Sequence, residues 1–363
     1  DTASDTVAEY TGVQVIPADA PVEGELTSFT ALDAIPLTSL SQAAGYVISA
    51  KENRGYHAAN LLLAQGFPVW RIDTCPWHDF YVEGDIKKLA PIFDAAQATV
   101  RPVEKPYPQM TPLKPLRVAM YQRFYTGNAD EGWTRLLFDN MAYSYTTVFD
   151  ADIKNGKLKD FDVLILPSDS YEMLYGLQHY ADSPKYDGLM QFIGKQPPEK
   201  QSGLGDEGMN AIRSFVEQGG KLLAFNQSCD FAIEACHLKV KNLAKGLSAK
   251  EFNTHGSTLH VELDTQNPLC YGMPKEVLAF HWDGPVLAVK EKFDAQQYQV
   301  AAHYAKEDVL QSGLLTGEKL IAGTPALLQA HCGQGEVVLY GFAPQHRCQT
   351  HGTFKLVFNA LYR

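Results

Sequence analysis

The sequence lacks long apolar runs and blocks of like charge. No apolar stretch approaches the ~18 residues that a membrane-spanning helix needs, so no membrane span is expected. The formal net charge is −11, and acidic and basic residues are dispersed along the chain. Because phosphate contacts supply most of the affinity of nucleic-acid-binding proteins, an acidic chain without a basic stripe is a poor candidate for binding nucleic acid.

Paired cysteines and phosphate-binding loops are also missing. The six cysteines are scattered and form no C-x-x-C pair, so they are interpreted as separate thiols rather than as a disulfide framework. The glycines Gly203, Gly205 and Gly208 match the dinucleotide pattern by letter. They follow a polar loop instead of a strand, and nucleotide binding therefore has no support.

Zinc-peptidase motifs are absent as well. None of the eleven histidines is followed three positions later by Glu, and the nearest approach is His179 with Asp182. His346, Cys348 and His351 lie within six residues of one another. A structural zinc site needs about four ligands, usually in two recognisable pairs, so no metal or other cofactor is predicted in this chain.

What is present is the composition of a globular protein, with 45% hydrophobic and 20% charged residues in 363. Four segments are predicted. Residues 1–40, rich in Thr, Ala and Pro, are expected to be irregular or edge-strand structure, and residues 41–101 a small α/β domain. Five prolines between positions 102 and 115 predict a linker, because proline fixes φ and removes an amide donor. Residues 116–363 form the main domain.

The main domain alternates short buried strands with amphipathic helices. Strands are predicted at 116–121, 161–166, 221–225 and 335–341, and helices at 130–141, 206–218, 231–236 and 354–361. Continuous apolar strands between helices indicate a doubly wound, mostly parallel α/β sheet of flavodoxin-like type. Residues 255–330 are β-rich, with no topology assigned.

Ligands of such sheets bind beyond the carboxyl ends of the strands. This rule gathers residues 122–123, 168–169, 226–230 and 343–347 around one rim. The candidate ligand-binding side chains are Arg123, Trp133, Arg135, Asp230, Gln345, His346 and His351. Taken singly, each also has a structural interpretation: Trp133 as core, Arg135 as helix surface and Asp230 as a helix cap.

Cys229 is the candidate nucleophile. It lies four residues beyond a buried strand and just before a predicted helix, where a backbone dipole can lower a thiol pKa and where α/β enzymes expose nucleophiles. The alternative interpretation is a small apolar residue packed under the helix. The flanking residues include no glycine, which the tight turn of a nucleophile elbow normally needs.

His346 is the candidate base. Class I glutamine amidotransferases place a His, followed two residues later by Glu, after a late strand. Here the residue two positions after His346 is Cys348, so the orienting carboxylate is missing from that position.

The chain resembles the C-terminal portion of bacterial zinc carboxypeptidase-like proteins of the carboxypeptidase A type, which contains an amidotransferase-like domain. The resemblance rests on residues 130–135, 203–205, 228–234 and 344–355, and it is most specific around Gln345 to Lys355. It implies that zinc belongs to an upstream peptidase domain, which would be the partner of this chain, and that the protein is periplasmic or secreted.

The resemblance further implies a non-catalytic accessory domain, a pseudoenzyme that binds a small molecule, a peptide or its partner domain. Two alternatives stay open. One is a cysteine-dependent amidohydrolase or amidotransferase that uses Cys229 and His346. The other is a carbohydrate-related binding module.

Overall fold

A computed structural model of the chain describes residues 6–12, 20, 24, 40–124, 127–180, 183–193, 203–290 and 297–362. The α-helices are α1 (Thr6–Thr11), α2 (Asn53–Ala64), α3 (Ile86–Ala96), α4 (Ala129–Asn140), α5 (Asp150–Lys154), α6 (Tyr171–Tyr175), α7 (Asp187–Ile193), α8 (Gly205–Glu217), α9 (Ser228–Ala235), α10 (Glu318–Ile321) and α11 (Phe354–Phe358). The strands are β1 (Gly45–Ile48), β2 (Val69–Ile72), β3 (Phe80–Val82), β4 (Val100–Val103), β5 (Met110–Pro112), β6 (Val118–Tyr121), β7 (Thr146–Val148), β8 (Val163–Leu166), β9 (Lys221–Phe225), β10 (Val240–Asn242), β11 (Ser257–Leu263), β12 (Glu276–His281), β13 (Leu287–Val289), β14 (Tyr298–Tyr304), β15 (Leu310–Ser312), β16 (Pro325–Cys332) and β17 (Gly335–Tyr340).

The first sheet is antiparallel, with the strand order β4-β1-β3-β2-β5, and α2 packs against α3 beside it. Both edge strands come from the proline-rich region, with Pro102 in β4 and Pro112 in β5. Proline cannot donate to a strand ladder and is tolerated at sheet edges. The segment 102–115 is therefore not a free linker, because it completes this sheet.

The second sheet has the order β12-β11-β14-β16-β17-β9-β8-β6-β7, and β15 pairs with β11. Strands β17, β9, β8, β6 and β7 run parallel to one another. Most strands of the β-rich residues 255–330 extend this sheet in antiparallel fashion, whereas β13 pairs with β10 in a separate two-stranded sheet. The predicted α/β class is confirmed, and the antiparallel extension is what the sequence left unassigned.

Helices cover both faces of the parallel strands. Alternate residues of β9 point to opposite sides: Leu223 and Phe225 join a core with α4, α11 and the first sheet, whereas Leu222 and Ala224 join a core with α5, α8 and α9. This alternation is the doubly wound arrangement. Each fully buried leucine contributes roughly 1.5–3 kcal/mol relative to an exposed one.

The predicted helices and strands of the main domain are confirmed, with shifted ends. The helix predicted at 231–236 begins at Ser228, so Cys229 lies inside it. The last helix ends at Phe358 and continues as a 3-10 turn over Asn359–Leu361. At the N-terminus, Thr6–Thr11 is helical rather than irregular, and the predicted alternation at 13–16 lies outside the described residues. Within the described ranges, every helix is too short or too polar to cross a membrane.

Candidate functional site

The turns after β8 and β9 form the centre of the predicted rim. β8 is followed by Ser168 and Asp169, and β9 by Asn226, after which α9 begins. Ser228 Oγ donates to the Pro167 carbonyl over 2.6 Å and accepts from the Asp169 amide over 3.0 Å. The two strand ends are thereby joined by hydrogen bonds.

Asn226 occupies the tip of the strand-to-helix turn. It is buried, with φ of 48°, a left-handed conformation that Asn tolerates better than most residues. Its Nδ2 donates to Ser168 Oγ over 3.3 Å and to the Trp282 carbonyl over 2.9 Å. Its Oδ1 has no hydrogen-bond partner among the described residues. A side chain at Gly284 would come within 2.2 Å of that oxygen, so this position requires glycine.

The elbow hypothesis requires Cys229 at the tip of this turn, but Cys229 does not lie there. It is fully buried in the first turn of α9, and its Sγ lies 3.3 Å from the carbonyl oxygens of both Ala224 and Tyr340. Burial raises the pKa of the Cys229 thiol well above its ordinary value, and the nearby Asp230 acts in the same direction. The thiol is therefore protonated and packed under the helix, which is its alternative structural interpretation.

A buried carboxyl group connects three parts of the rim. Asp130 Oδ1 accepts from the Ser168 amide and from Gln345 Nε2, both over 2.7 Å. Gln345 also donates to Thr134 Oγ1 over 2.9 Å, and its own Oε1 has no partner in the part of the chain that the structure describes. Burial raises the pKa of Asp130 to about 6, and its hydrogen bonds limit that rise.

Arg123 is held beside this network by an ion pair with Asp169. Both side chains are largely buried, and Arg123 Nη2 also donates to the Gly127 carbonyl over 2.8 Å. Asn128, which caps α4, donates to the Ser168 carbonyl and to Asp169. Arg123 and Gln345 therefore belong to one network of hydrogen bonds and ion pairs around Ser168 and Asp169.

His346 lies in an aromatic cluster. Its ring stacks on Phe280 with centroids 3.9 Å apart, and Trp133 and Trp282 lie 5.0 and 5.9 Å away. Burial lowers the pKa of His346 to about 4, and the adjacent Arg347 adds to that effect. The imidazole is neutral at physiological pH, and the structure surrounds it with rings.

The remaining candidate side chains, Arg135, Asp230 and His351, contact other parts of the structure. Arg135 pairs with Glu131 one helical turn back on α4. Asp230 accepts from Asn242 Nδ2 on β10 over 3.2 Å, so it bridges two elements instead of capping α9. His351 is exposed and lines a cleft beside α1 and α2. In the described ranges no group of three or more His, Cys, Asp or Glu side chains is placed to hold a metal ion.

The sequence interpretation placed Asn226 on the rim without naming it among the ligand-binding side chains, and it missed Asp130 as a site residue. Asn226 could have been found as the first residue after a buried strand, since Asn is among the few residue types that accept positive φ. Asp130 carried a weaker signal, because an acidic residue in the first turn of a helix usually serves the helix dipole at the surface.

No family model matches the sequence, and no curated protein matches it. Solved structures do match. A glutamine amidotransferase from Thermotoga maritima is 10% identical, with 68% of this chain and 99% of that chain covered at a TM-score of 0.38. A beta-galactosidase from Bacillus circulans sp. alkalophilus is 12% identical, with 66% and 30% covered at 0.37. An exo-beta-1,4-mannosidase from an Opitutaceae bacterium is 10% identical, with 68% and 35% covered at 0.36.

These likenesses have TM-scores too low to bear on what this chain binds or does. This chain spans about a third of each of the two glycosidases and nearly all of the amidotransferase. The relationship to zinc carboxypeptidases that the sequence resemblance implies gains no support from these comparisons.

Proposed function

We propose that residues 116–363 form an amidotransferase-like domain that binds a ligand or partner without catalysing a reaction. The observation that carries the proposal is Asn226 at the strand-to-helix turn. This turn is the position at which α/β enzymes expose their nucleophile. A carboxamide is not a nucleophile, but it offers both a donor and an acceptor to a bound group.

The residues after β17 support the same conclusion. In the amidotransferase pattern, a His after a late strand is followed two residues later by Glu. Two pairs of residues after β17 could correspond to these two positions. His346 with Cys348 lacks the acid, and Ala343 with Gln345 has an aliphatic residue and an amide. Gln345 donates its amide to Asp130 and Thr134. Neither pair supplies a base oriented by a carboxylate, which an activated nucleophile needs.

The test combines an amide-hydrolysis assay with thiol labelling. We expect no glutamine turnover by the wild-type protein and none by Cys229→Ala. We expect iodoacetamide to modify the partly exposed Cys75, Cys332 and Cys348 in the folded protein and Cys229 only in urea. Glutamine turnover that disappears in Cys229→Ala would establish the cysteine-dependent enzyme instead.

As to its biological setting, we propose that the domain is an accessory to a zinc carboxypeptidase-like catalytic domain, with the rim around Asn226 as the binding surface. The supporting observation is the sequence resemblance around Gln345 to Lys355. The DNA encoding the residues ahead of Asp1 provides the test. A His-x-x-Glu motif with a downstream His is expected there, and an unrelated preceding sequence would refute this setting.

A further inference from the structure

Two thiols that are far apart in the chain meet at the end of α9. Cys236 follows directly on α9 as its C-cap, and Cys332 is the last residue of β16. They are 96 residues apart in sequence, yet the Cys332 Sγ lies 3.9 Å from the Cys236 carbonyl oxygen, and the two thiols hydrogen-bond to each other. Both side chains contact the core that includes α8 and α9. The fold therefore assembles a dithiol that sequence spacing does not reveal.

The other four cysteines have different surroundings. Their thiols contact backbone carbonyls or a side-chain amide: Cys75 with Ile72, Cys229 with Ala224, Cys270 with Ala301 and Cys348 with Asn140. Within the described residues, the contact between Cys236 and Cys332 is the one in which two thiols meet.

The two thiols differ in exposure, which gives them different reactivity. Cys236 is 4% exposed, whereas Cys332 lies at the β16–β17 turn and is partly exposed. The hydrogen bond from the Cys236 thiol lowers the pKa of Cys332, while the same contact and burial raise the pKa of Cys236. On α8, the positive charge of Arg213 lowers both pKa values and the negative charge of Glu217 opposes it. Cys332 is therefore the thiol that ionises first and that a solute can reach.

The surrounding backbone holds the two thiols in place. The β16–β17 turn packs on the end of α8, where the Gln334 amide donates to the Glu217 carbonyl over 2.9 Å. A Cβ at Gly333 in this turn would come within 2.6 Å of Glu217. At the end of α9, the Cys236 amide donates to the Ala232 carbonyl over 3.0 Å. Both segments are fixed in the reduced protein, so the thiols are already held close together before a bond forms.

We propose that Cys236 and Cys332 form a redox-active dithiol, which reacts with a small disulfide such as oxidised glutathione and closes to an intramolecular disulfide. The new bond links the end of α9 to the end of β16. This modification site is separate from the rim around Asn226 and does not depend on the function proposed for that rim.

The reaction has two steps. The Cys332 thiolate attacks one sulfur of the small disulfide, whose S–S bond breaks, and one half leaves as a thiolate that takes up the proton released by Cys332. The Cys236 sulfur then attacks the Cys332 sulfur, and the other half leaves with the proton of Cys236. Two protein thiols are thereby oxidised to one disulfide, and one small disulfide is reduced to two thiols.

Peptide mapping by mass spectrometry tests the proposal. The full chain is incubated with oxidised and reduced glutathione at several ratios, free thiols are blocked with N-ethylmaleimide, and the protein is digested without reductant. We expect a cross-linked pair of peptides that contains Cys236 and Cys332, and its loss when the protein is first reduced with dithiothreitol. Oxidation should raise the midpoint of thermal unfolding by about 5 °C, since a disulfide that closes a long loop restricts the unfolded chain.

Two variants separate the roles of the thiols. Cys236→Ser lacks the thiol that displaces glutathione, so a mixed disulfide should accumulate on Cys332. Cys75→Ser changes a thiol elsewhere and should form the cross-link as wild type does. Glutathione retained on Cys332 of the wild-type protein, Cys332 joined to another cysteine, or both thiols free at the most oxidising ratio would overturn the proposal. These outcomes are read from the wild-type protein, so they stand even if Cys236→Ser fails to fold.

Discussion

At the scale of single residues, Asp130 is the group whose chemistry the fold changes most. Its carboxyl group is buried, and its partners are a backbone amide and the neutral side chain of Gln345. Burial raises its pKa to about 6, above the ~3.9 of an unfolded chain. The stability that follows from this shift is fully present below about pH 4 and is lost as the pH rises through 6.

We therefore expect Asp130→Asn to be more stable than wild type at neutral pH. The amide oxygen of Asn can still accept from Ser168 and Gln345, but it carries no charge to bury. The stability difference should grow from near zero at pH 4 to about 2–3 kcal/mol above pH 6, since one pKa unit corresponds to about 1.4 kcal/mol. Urea unfolding at several pH values measures it, with the exposed Asp160→Asn as the matched control. A difference independent of pH would contradict this account.

At the scale of elements, close packing decides whether replacing a helical glycine by alanine stabilises or destabilises the protein. Gly55 lies in the first turn of α2, and a Cβ there would come within 1.9 Å of the Ser49 carbonyl oxygen. Gly132 lies in α4, where an added Cβ meets no atom within 4 Å. Both are glycines inside amphipathic helices, so sequence patterns treat them alike.

The two substitutions should have opposite signs. Gly132→Ala should stabilise the protein by about 0.5–1 kcal/mol, because alanine loses less backbone entropy on folding. Gly55→Ala should destabilise it by about 1–3 kcal/mol, because α2 must move away from the end of β1. Urea denaturation of both variants against wild type provides the measurement. Stabilisation by Gly55→Ala would show that α2 does not pack this closely on Ser49.

At the scale of the whole molecule, one buried asparagine joins the two sheets. Asn359 Oδ1 accepts from Tyr56 on α2 over 2.7 Å and from Arg71 on β2 over 3.2 Å. Its Nδ2 donates to the carbonyls of Leu269 and Tyr271 over 3.0 and 2.8 Å. The hydrophobic core that surrounds it contains residues of both sheets. The first sheet and α2 are therefore packed into one core with the second sheet.

Asn359→Ala should destabilise the entire protein by about 3–5 kcal/mol, because it leaves buried donors and acceptors unpaired. The loss should lower the midpoint of one cooperative unfolding transition, seen equally by far-ultraviolet circular dichroism and by tryptophan fluorescence. The exposed Asn155→Ala is the matched control and should unfold like wild type. Two separated transitions in the wild-type protein would mean that the domains unfold independently.

The sequence alone determined the α/β class and most strand and helix positions. These properties follow from local rules: apolar runs mark buried strands, and helical spacing marks amphipathic helices. The structure places Arg123 and Gln345 of the predicted rim in one network of polar contacts, and their role in binding stays a prediction. Only the tertiary structure decided that Cys229 is buried while Asn226 occupies the tip of the turn, and that Lys355 is buried. Burial and pairing depend on residues far apart in the chain, such as Tyr340 beside Cys229 and Gly272 beside Lys355, and no local pattern encodes those contacts.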